Sequence, residues 1–180
     1  MSSAAPYEMT RTPETCADTE RALEVGELHI AALIELPDDS PLQRVLYSNE
    51  AWERGVTLPE GASIFGFWKR RVPDPGAPDT HALVSDDEIM DLFEQLGESD
   101  QDSKIVFRYL LSLLLLRKKR LELEQRIPPE NGERAKLVMR QKVKGGGGPL
   151  FEVIDPAMDD EAVAQGIEDL GRVIAFDLNS

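Results

Sequence analysis

Few side chains in this sequence are of the types that carry covalent or acid–base chemistry. There is one cysteine, Cys16, and there are two histidines, His29 and His81. A thiol nucleophile needs a base within hydrogen-bond reach. His29 falls inside an apolar run and His81 follows a proline-rich stretch, so spacing recommends neither as that base, and only partners brought together by folding stay open. No G-x-S-x-G, H-E-x-x-H or G-x-G-x-x-G spacing occurs, and those spacings are what place a nucleophile, a zinc pair or a pyrophosphate cradle. Carboxylates are plentiful, but abundance selects no pair for general acid–base work.

Three further clusters invite a chemical reading. Gly145 to Gly148 suggests a phosphate loop, but that loop needs G-x-x-x-x-G-K-[ST] between a strand and a helix. No Lys-Ser/Thr pair follows here, and the next residues, P-L-F-E-V-I-D, read as a strand, so a loose hairpin loop is the better reading. Asp86, Asp87, Glu88, Asp91 and Glu94 are a carboxylate run. Helical spacing spreads these groups over a solvated face, whereas an oxygen cage for a cation needs convergent ligands. The third cluster is basic: Arg117, Lys118, Lys119, Arg120, Arg134, Lys136, Arg140, Lys142 and Lys144 could contact nucleic-acid phosphates if they shared a face.

Charge distribution weighs on that last idea. The formal net charge is −14, which argues against general attraction to nucleic acid or acidic membrane surfaces. Residues 1–100 carry 7 basic and 21 acidic side chains, residues 101–149 carry 12 and 5, and residues 150–180 carry 1 and 8. The simplest account is a basic middle neutralised by its own acidic flanks. One cysteine excludes an intramolecular disulfide, and the first ten residues lack the basic start and apolar core of a signal peptide. A reducing, cytoplasmic setting is expected.

The elements that must position these residues are easier to read. Ser103–Arg120 is the centre of the chain, because ten of the twelve residues from Ile105 to Leu116 are apolar or aromatic. Such a run predicts a helix buried nearly all round, with Asp102 or Ser103 as its cap and Arg117–Arg120 at the negative end of its dipole. It is too short for a membrane span, which needs about 20 apolar residues, and Arg108 interrupts it. Upstream, Ser85 and Glu88 have capping-box spacing. Ile89, Leu92, Phe93 and Leu96 follow on one helical face, and Gly97 is placed to end the helix. Downstream, L-E-L-E-Q-R-I alternates with period two and predicts a strand, with a continued helix through Arg126 as the rival. Asn131–Gly132 predicts a tight turn, and two more strands complete a three-stranded meander to lay on the central helix. Asp159–Ile174 predicts a final helix, weakened at Gly166 and Gly171 by about 1 kcal/mol each relative to alanine.

The first third has its own pattern. L-H-I-A-A-L-I-E-L and L-Q-R-V-L-Y read as two strands joined by the turn P-D-D-S-P. Residues 57–82 read as a connector rich in proline, glycine and aromatics; there Phe65, Phe67 and Trp68 are either an exposed partner-contact patch or a plug at the edge of a core. Residues 1–14 read as a disordered tail. The organisation expected is therefore a tail (1–14), a hairpin unit (15–56), the connector (57–82) and an α+β unit (83–180). The fold class is α+β, made of a ribbon-like hairpin, a capped amphipathic helix, a buried central helix, a three-stranded antiparallel meander and a C-terminal helix.

Cys16, a Gly26–Glu27 pair, the hairpin and Ser48-x-x-Ala51-Trp52 together resemble a zinc ribbon whose ligands are lost. In ribbons of this kind C-x-x-C leads into a hairpin and the second knuckle reads C-x-x-C-W. Here Thr19, Ser48 and Ala51 stand where the other three cysteines would be. A structural zinc site takes four thiolate or imidazole ligands, so no metal is expected. Over about residues 15–180 the chain also resembles a group of bacterial proteins of planctomycete type that share a ribbon-like start and the pattern F-R-Y-L-L-x-L-L-L-x-R-K. The matching residues are Gly26–Glu27, Phe107–Leu111, Leu113–Leu115 and Arg117–Lys118. That resemblance implies no assigned activity and transfers no site residue.

The expectation from sequence is thus a cytoplasmic, non-catalytic interaction or structural module with no cofactor. It would bind a protein partner, with no membrane association. A nucleic-acid-associated protein using residues 117–144 is the alternative, and an enzyme comes third.

Overall fold

A computed structural model describes residues 14–38, 40–74, 76 and 84–174. The tail expected over 1–14 lies outside these except for Glu14, as do His81 and part of the expected connector. The order is β1 (Leu28–Glu35), β2 (Gln43–Ser48), α1 (Asn49–Arg54), β3 (Ser63–Arg71), α2 (Asp86–Gln95), α3 (Asp102–Arg117), β4 (Leu121–Ile127), β5 (Lys136–Gln141), β6 (Leu150–Ile154) and α4 (Asp160–Ile174). Two three-stranded antiparallel sheets, ordered β2-β1-β3 and β4-β5-β6, are combined with these helices in an α+β fold.

β1 is the centre of the first sheet and is covered on both faces. Ile30, Ala32 and Ile34 pack with Cys16, Leu23, Tyr47, Ala51 and Val72, while Ala31 and Leu33 join Phe65, Trp68 and the residues of α2 and α3. This two-sided burial explains the continuous apolar run, since a half-solvated strand would alternate.

The connector reading of 57–82 is corrected by β3. Ile64-Phe65-Gly66-Phe67-Trp68 pairs along β1, from Leu28 opposite Arg71 to Glu35 opposite Ser63, with a bulge at Leu33/Ile34. Aromatic and β-branched residues favour a pleated, packed surface, and β1 offers them a free edge. α2 then closes over this strand. Leu92 sits so near Gly66 that a Cβ there would lie 2.6 Å from Leu92 Cδ1. The outer edge of β3 is sealed by one side chain: Gln95 donates through Nε2 to Phe67 O (3.1 Å) and accepts from Phe67 N (3.0 Å). An unpaired strand edge would otherwise invite association.

α2 carries the capping box in full, with Ser85 Oγ accepting from Glu88 N and the Glu88 carboxylate accepting from Ser85 N. Gly97 does not end it in a left-handed turn. A 3-10 turn, Leu96–Glu98, follows instead, and Gly97 serves to admit the Arg108 side chain. α3 starts without a side-chain cap, its N-cap being Gln101 rather than Asp102 or Ser103. Ile105, Phe107, Leu110, Leu111, Leu114 and Leu115 are buried, as a central helix requires. Val106, Leu113 and Leu116 are only half-buried, so one stripe of the helix is uncovered.

The switch from helix to strand at residues 118–121 has a local cause. Lys119 adopts φ 59°, Arg120 N donates to Leu115 O (2.8 Å) and Lys119 N donates to Leu116 O (3.1 Å). These are the two bonds of a Schellman ending, and they stop α3 before the alternating stretch begins. β4 is therefore a strand and not a continuation of the helix. Asn131 and Gly132, at φ 52° and 82°, make the tight turn between β4 and β5, the left-handed pair that a type I′ turn demands. Gly145–Gly147 are also left-handed and lead through Pro149 directly into β6, a loop between strands. Gly166 of α4 faces Leu110, where a Cβ would come within 2.7 Å of Leu110 Cδ1. The glycine that costs helix propensity is what lets α4 lie close on α3.

Candidate functional site

The sequence-selected aromatics are placed by β3. Phe65 and Trp68 are 4 % and 2 % exposed. Phe65 stacks edge-on against Phe107 at 5.0 Å, and Phe67 packs at 4.8 Å against Trp52 on the opposite face of the sheet. The reading of Phe65, Phe67 and Trp68 as an exposed contact patch is corrected: Phe65 and Trp68 belong to one core cluster and the half-buried Phe67 packs on the other, the bulge at Leu33/Ile34 turning Phe65 to the side of Trp68 where strict alternation would have set it beside Phe67.

The basic candidates lie around the second sheet, mostly engaged by carboxylates. Lys118 pairs with Asp86 (3.4 Å) and Arg120 with Asp87, both acids from α2. Arg134 pairs with Asp102, Lys136 with Glu133 and Glu152, Arg140 with Glu124, and Lys142 with Glu122. Arg117, Lys119 and Lys144 stand outside these pairs. Neutralisation comes more from partners along the sheet itself than from distant acidic flanks. Each exposed pair contributes little to stability, roughly 0–1 kcal/mol, yet together they reduce the field that the run of cations would project.

Cys16 and Ser48, thirty-two positions apart, meet beside β1. Cys16 Sγ accepts from Ser48 N at 3.2 Å and lies 3.7 Å from Ser48 Oγ, while Ser48 Oγ caps α1 by accepting from Ala51 N. Burial pushes the thiol up, but hydrogen bonds from Thr19 and Ser48 outweigh it and hold the group at about 7. Three of the positions aligned with ribbon knuckles thus adjoin, as a hydrogen-bonded corner. Among the described residues no group of three His, Cys, Asp or Glu converges as metal ligands would.

On the other face of the sheet, His29 is fully buried. Its Nε2 is 3.6 Å from Glu14 Oε2, and Arg70, its cross-strand neighbour, reaches Glu88 at 3.8 Å. Burial lowers the His29 pKa from its ordinary 6.5, and Glu14 only partly opposes this.

One apolar concavity has no counterpart in the sequence motifs. It is a groove of about 520 Å³ between the β1–β2 turn, α3 and α4, lined chiefly by Leu42, Val106, Phe107, Leu110, Leu170 and Val173. The sequence signal for it was faint: Val106 falls in a run that reads as buried all round, and Leu42 adjoins a turn. The groove exists because Gly166 draws α4 onto α3 at one level while Leu42 reaches over from the first sheet. No helix among the described residues is long and apolar enough to cross a membrane. No protein-family model, no curated protein and no solved structure matches the chain.

Proposed function

We propose that this chain is a non-catalytic, cytoplasmic protein-interaction module, and that its partner supplies an amphipathic helical segment with an apolar face and a basic rim. The observation that carries this is the groove between α3 and α4. Its floor is apolar, its volume lies in the range of binding pockets, and two helices flank it in the manner of helix-in-groove recognition. Along α4, Arg172 pairs with Glu168 and Asp169, and with Asp160 and Glu161 at its start the helix keeps a net negative charge, which a basic rim complements. The nucleic-acid alternative is weaker, because Lys118, Arg120, Arg134, Lys136, Arg140 and Lys142 already have carboxylate partners.

A displayed library of helical peptides tests the proposal. Enrichment of basic peptides with apolar residues three and four apart is expected, with binding lost in Leu42→Asp and Val173→Asp and thermal stability kept. A library that yields no such class, or binders indifferent to both substitutions, refutes it.

A further inference from the structure

Arg108 lies in the middle of the most apolar helix and is only 9 % exposed. A buried charge is costly unless it is paired. The partners of Arg108 are neutral: Nε donates to Phe93 O (3.1 Å), Nη1 donates to Glu152 O (2.6 Å), and the guanidinium stands 4.5 Å from the Phe93 ring centroid. Among the described residues no carboxylate comes within ion-pair distance, and Glu98 acts on it only through space. A guanidinium has five N–H donors, and two are used here. Its Nη2 edge lies against the bare backbone of Gly97, where a Cβ would come within 3.2 Å.

The same guanidinium lines a cavity of about 190 Å³ between the 3-10 turn, α3 and the second sheet. Leu96, Ile105, Val153 and Ile154 give it apolar walls, and Lys136 and Glu152 line it as well. The Lys136 ammonium is held between two carboxylates, Glu133 at 3.7 Å and Glu152 at 3.8 Å, so Arg108 is the cation left without an acid partner there. The space equals that of about six waters, too little for a nucleotide or a folded peptide. The guanidinium suits phosphate and carboxylate alike, but inorganic phosphate would leave the apolar walls unused, whereas a carboxylate with a short aliphatic tail covers them.

We infer that this cavity binds a small aliphatic carboxylate, its head on Arg108 and its short tail against Leu96, Ile105, Val153 and Ile154. The inference is independent of the groove between α3 and α4. It is tested by titrating the full-length, isotope-labelled protein with sodium butyrate, and separately with inorganic phosphate, at constant ionic strength. Butyrate should saturate in the millimolar range and shift the amides of Gly97, Ser99, Ile105 and Val153, with phosphate far weaker. Lys136→Gln, which leaves the Glu152 carboxylate without its cation beside the cavity, should weaken butyrate binding by about fivefold. Arg108→Lys should abolish binding; because that variant endangers the fold, Ile154→Phe, which fills the cavity and keeps the guanidinium, should also abolish it in a folded protein. Non-saturating shifts in the wild type, equal binding of phosphate, or butyrate affinity unchanged in both Lys136→Gln and Ile154→Phe overturns the assignment.

Discussion

Gly66→Ala should destabilise the protein, although alanine suits a strand interior better than glycine. The backbone term favours alanine by roughly 0.5–1 kcal/mol. Against it stands the contact with α2: the new Cβ would lie 2.6 Å from Leu92 Cδ1 and 3.4 Å from Gln95 Oε1. Leu92 is 1 % exposed and sits in the main core cluster with Phe65, Phe93 and Leu96, which leaves it little room to retreat. Forcing an extra carbon into a packed core costs about 1–3 kcal/mol. The net expectation is a loss of about 0.5–2 kcal/mol, or a few degrees in melting temperature at this chain length. Leu92→Ala alone should cost about 2–5 kcal/mol through its cavity. In the double variant the methyl introduced at position 66 enters the space that Leu92 vacates, so the two losses should fall short of additivity by at least about 1 kcal/mol. Urea unfolding followed by the fluorescence of Trp52 and Trp68, the latter two residues along β3 and 2 % exposed, measures all four corners of the cycle. A Gly66→Ala protein as stable as the wild type, or additivity within about 0.5 kcal/mol, would refute the claim that α2 is seated on β3 by this glycine.

Other expectations follow from single residues. Replacing Lys119 by glycine should stabilise the protein by about 0.5–1 kcal/mol, because φ 59° suits glycine; a loss of stability in thermal melts would show that the Lys119 side chain matters more than the helix ending. Cys16 is held at about 7 in the fold against an ordinary 9.0. The folded state therefore favours the thiolate, and its stabilising contribution is full above pH 9 and fades as pH falls through 7. The slope of stability between pH 7 and 9 should flatten in Cys16→Ala, and equal slopes would contradict the bonds drawn to Thr19 and Ser48. His29 is a base whose pKa is lowered from 6.5 by burial, so the unfolded chain takes up the proton first. Stability should fall as pH drops below 6.5, less steeply in His29→Gln; identical acid-unfolding curves would mean that His29 takes up its proton equally in both states.

Local chemistry was enough to write down much of this fold from the sequence. Ser85 and Glu88 make a capping box from residues three apart, Asn131–Gly132 closes a turn on its own backbone preferences, and the period-two run after Arg120 is a strand as its alternation says. The density of leucine between Ile105 and Leu116 set the central helix without reference to anything else. Each of these is decided within a few residues, where propensity and side-chain spacing dominate.

What required the tertiary structure is everything that depends on which faces meet. Ile64–Trp68 reads as a glycine-interrupted aromatic connector until β1 presents an edge for it, and then Phe65 and Trp68 become core. Neutralisation of the basic run by its acidic flanks is the simplest reading of the charges, but which acids do it, Asp86, Asp87 and Glu152 among them, is set by the elements that meet. Gly97 reads as a helix stop and Gly166 as a weak point in a helix, and only packing reveals Gly66, Gly97 and Gly166 as the places where Leu92, Arg108 and Leu110 must pass. The groove between α3 and α4 and the cavity at Arg108 are voids between distant segments. A void has no residues of its own, so no local pattern encodes it.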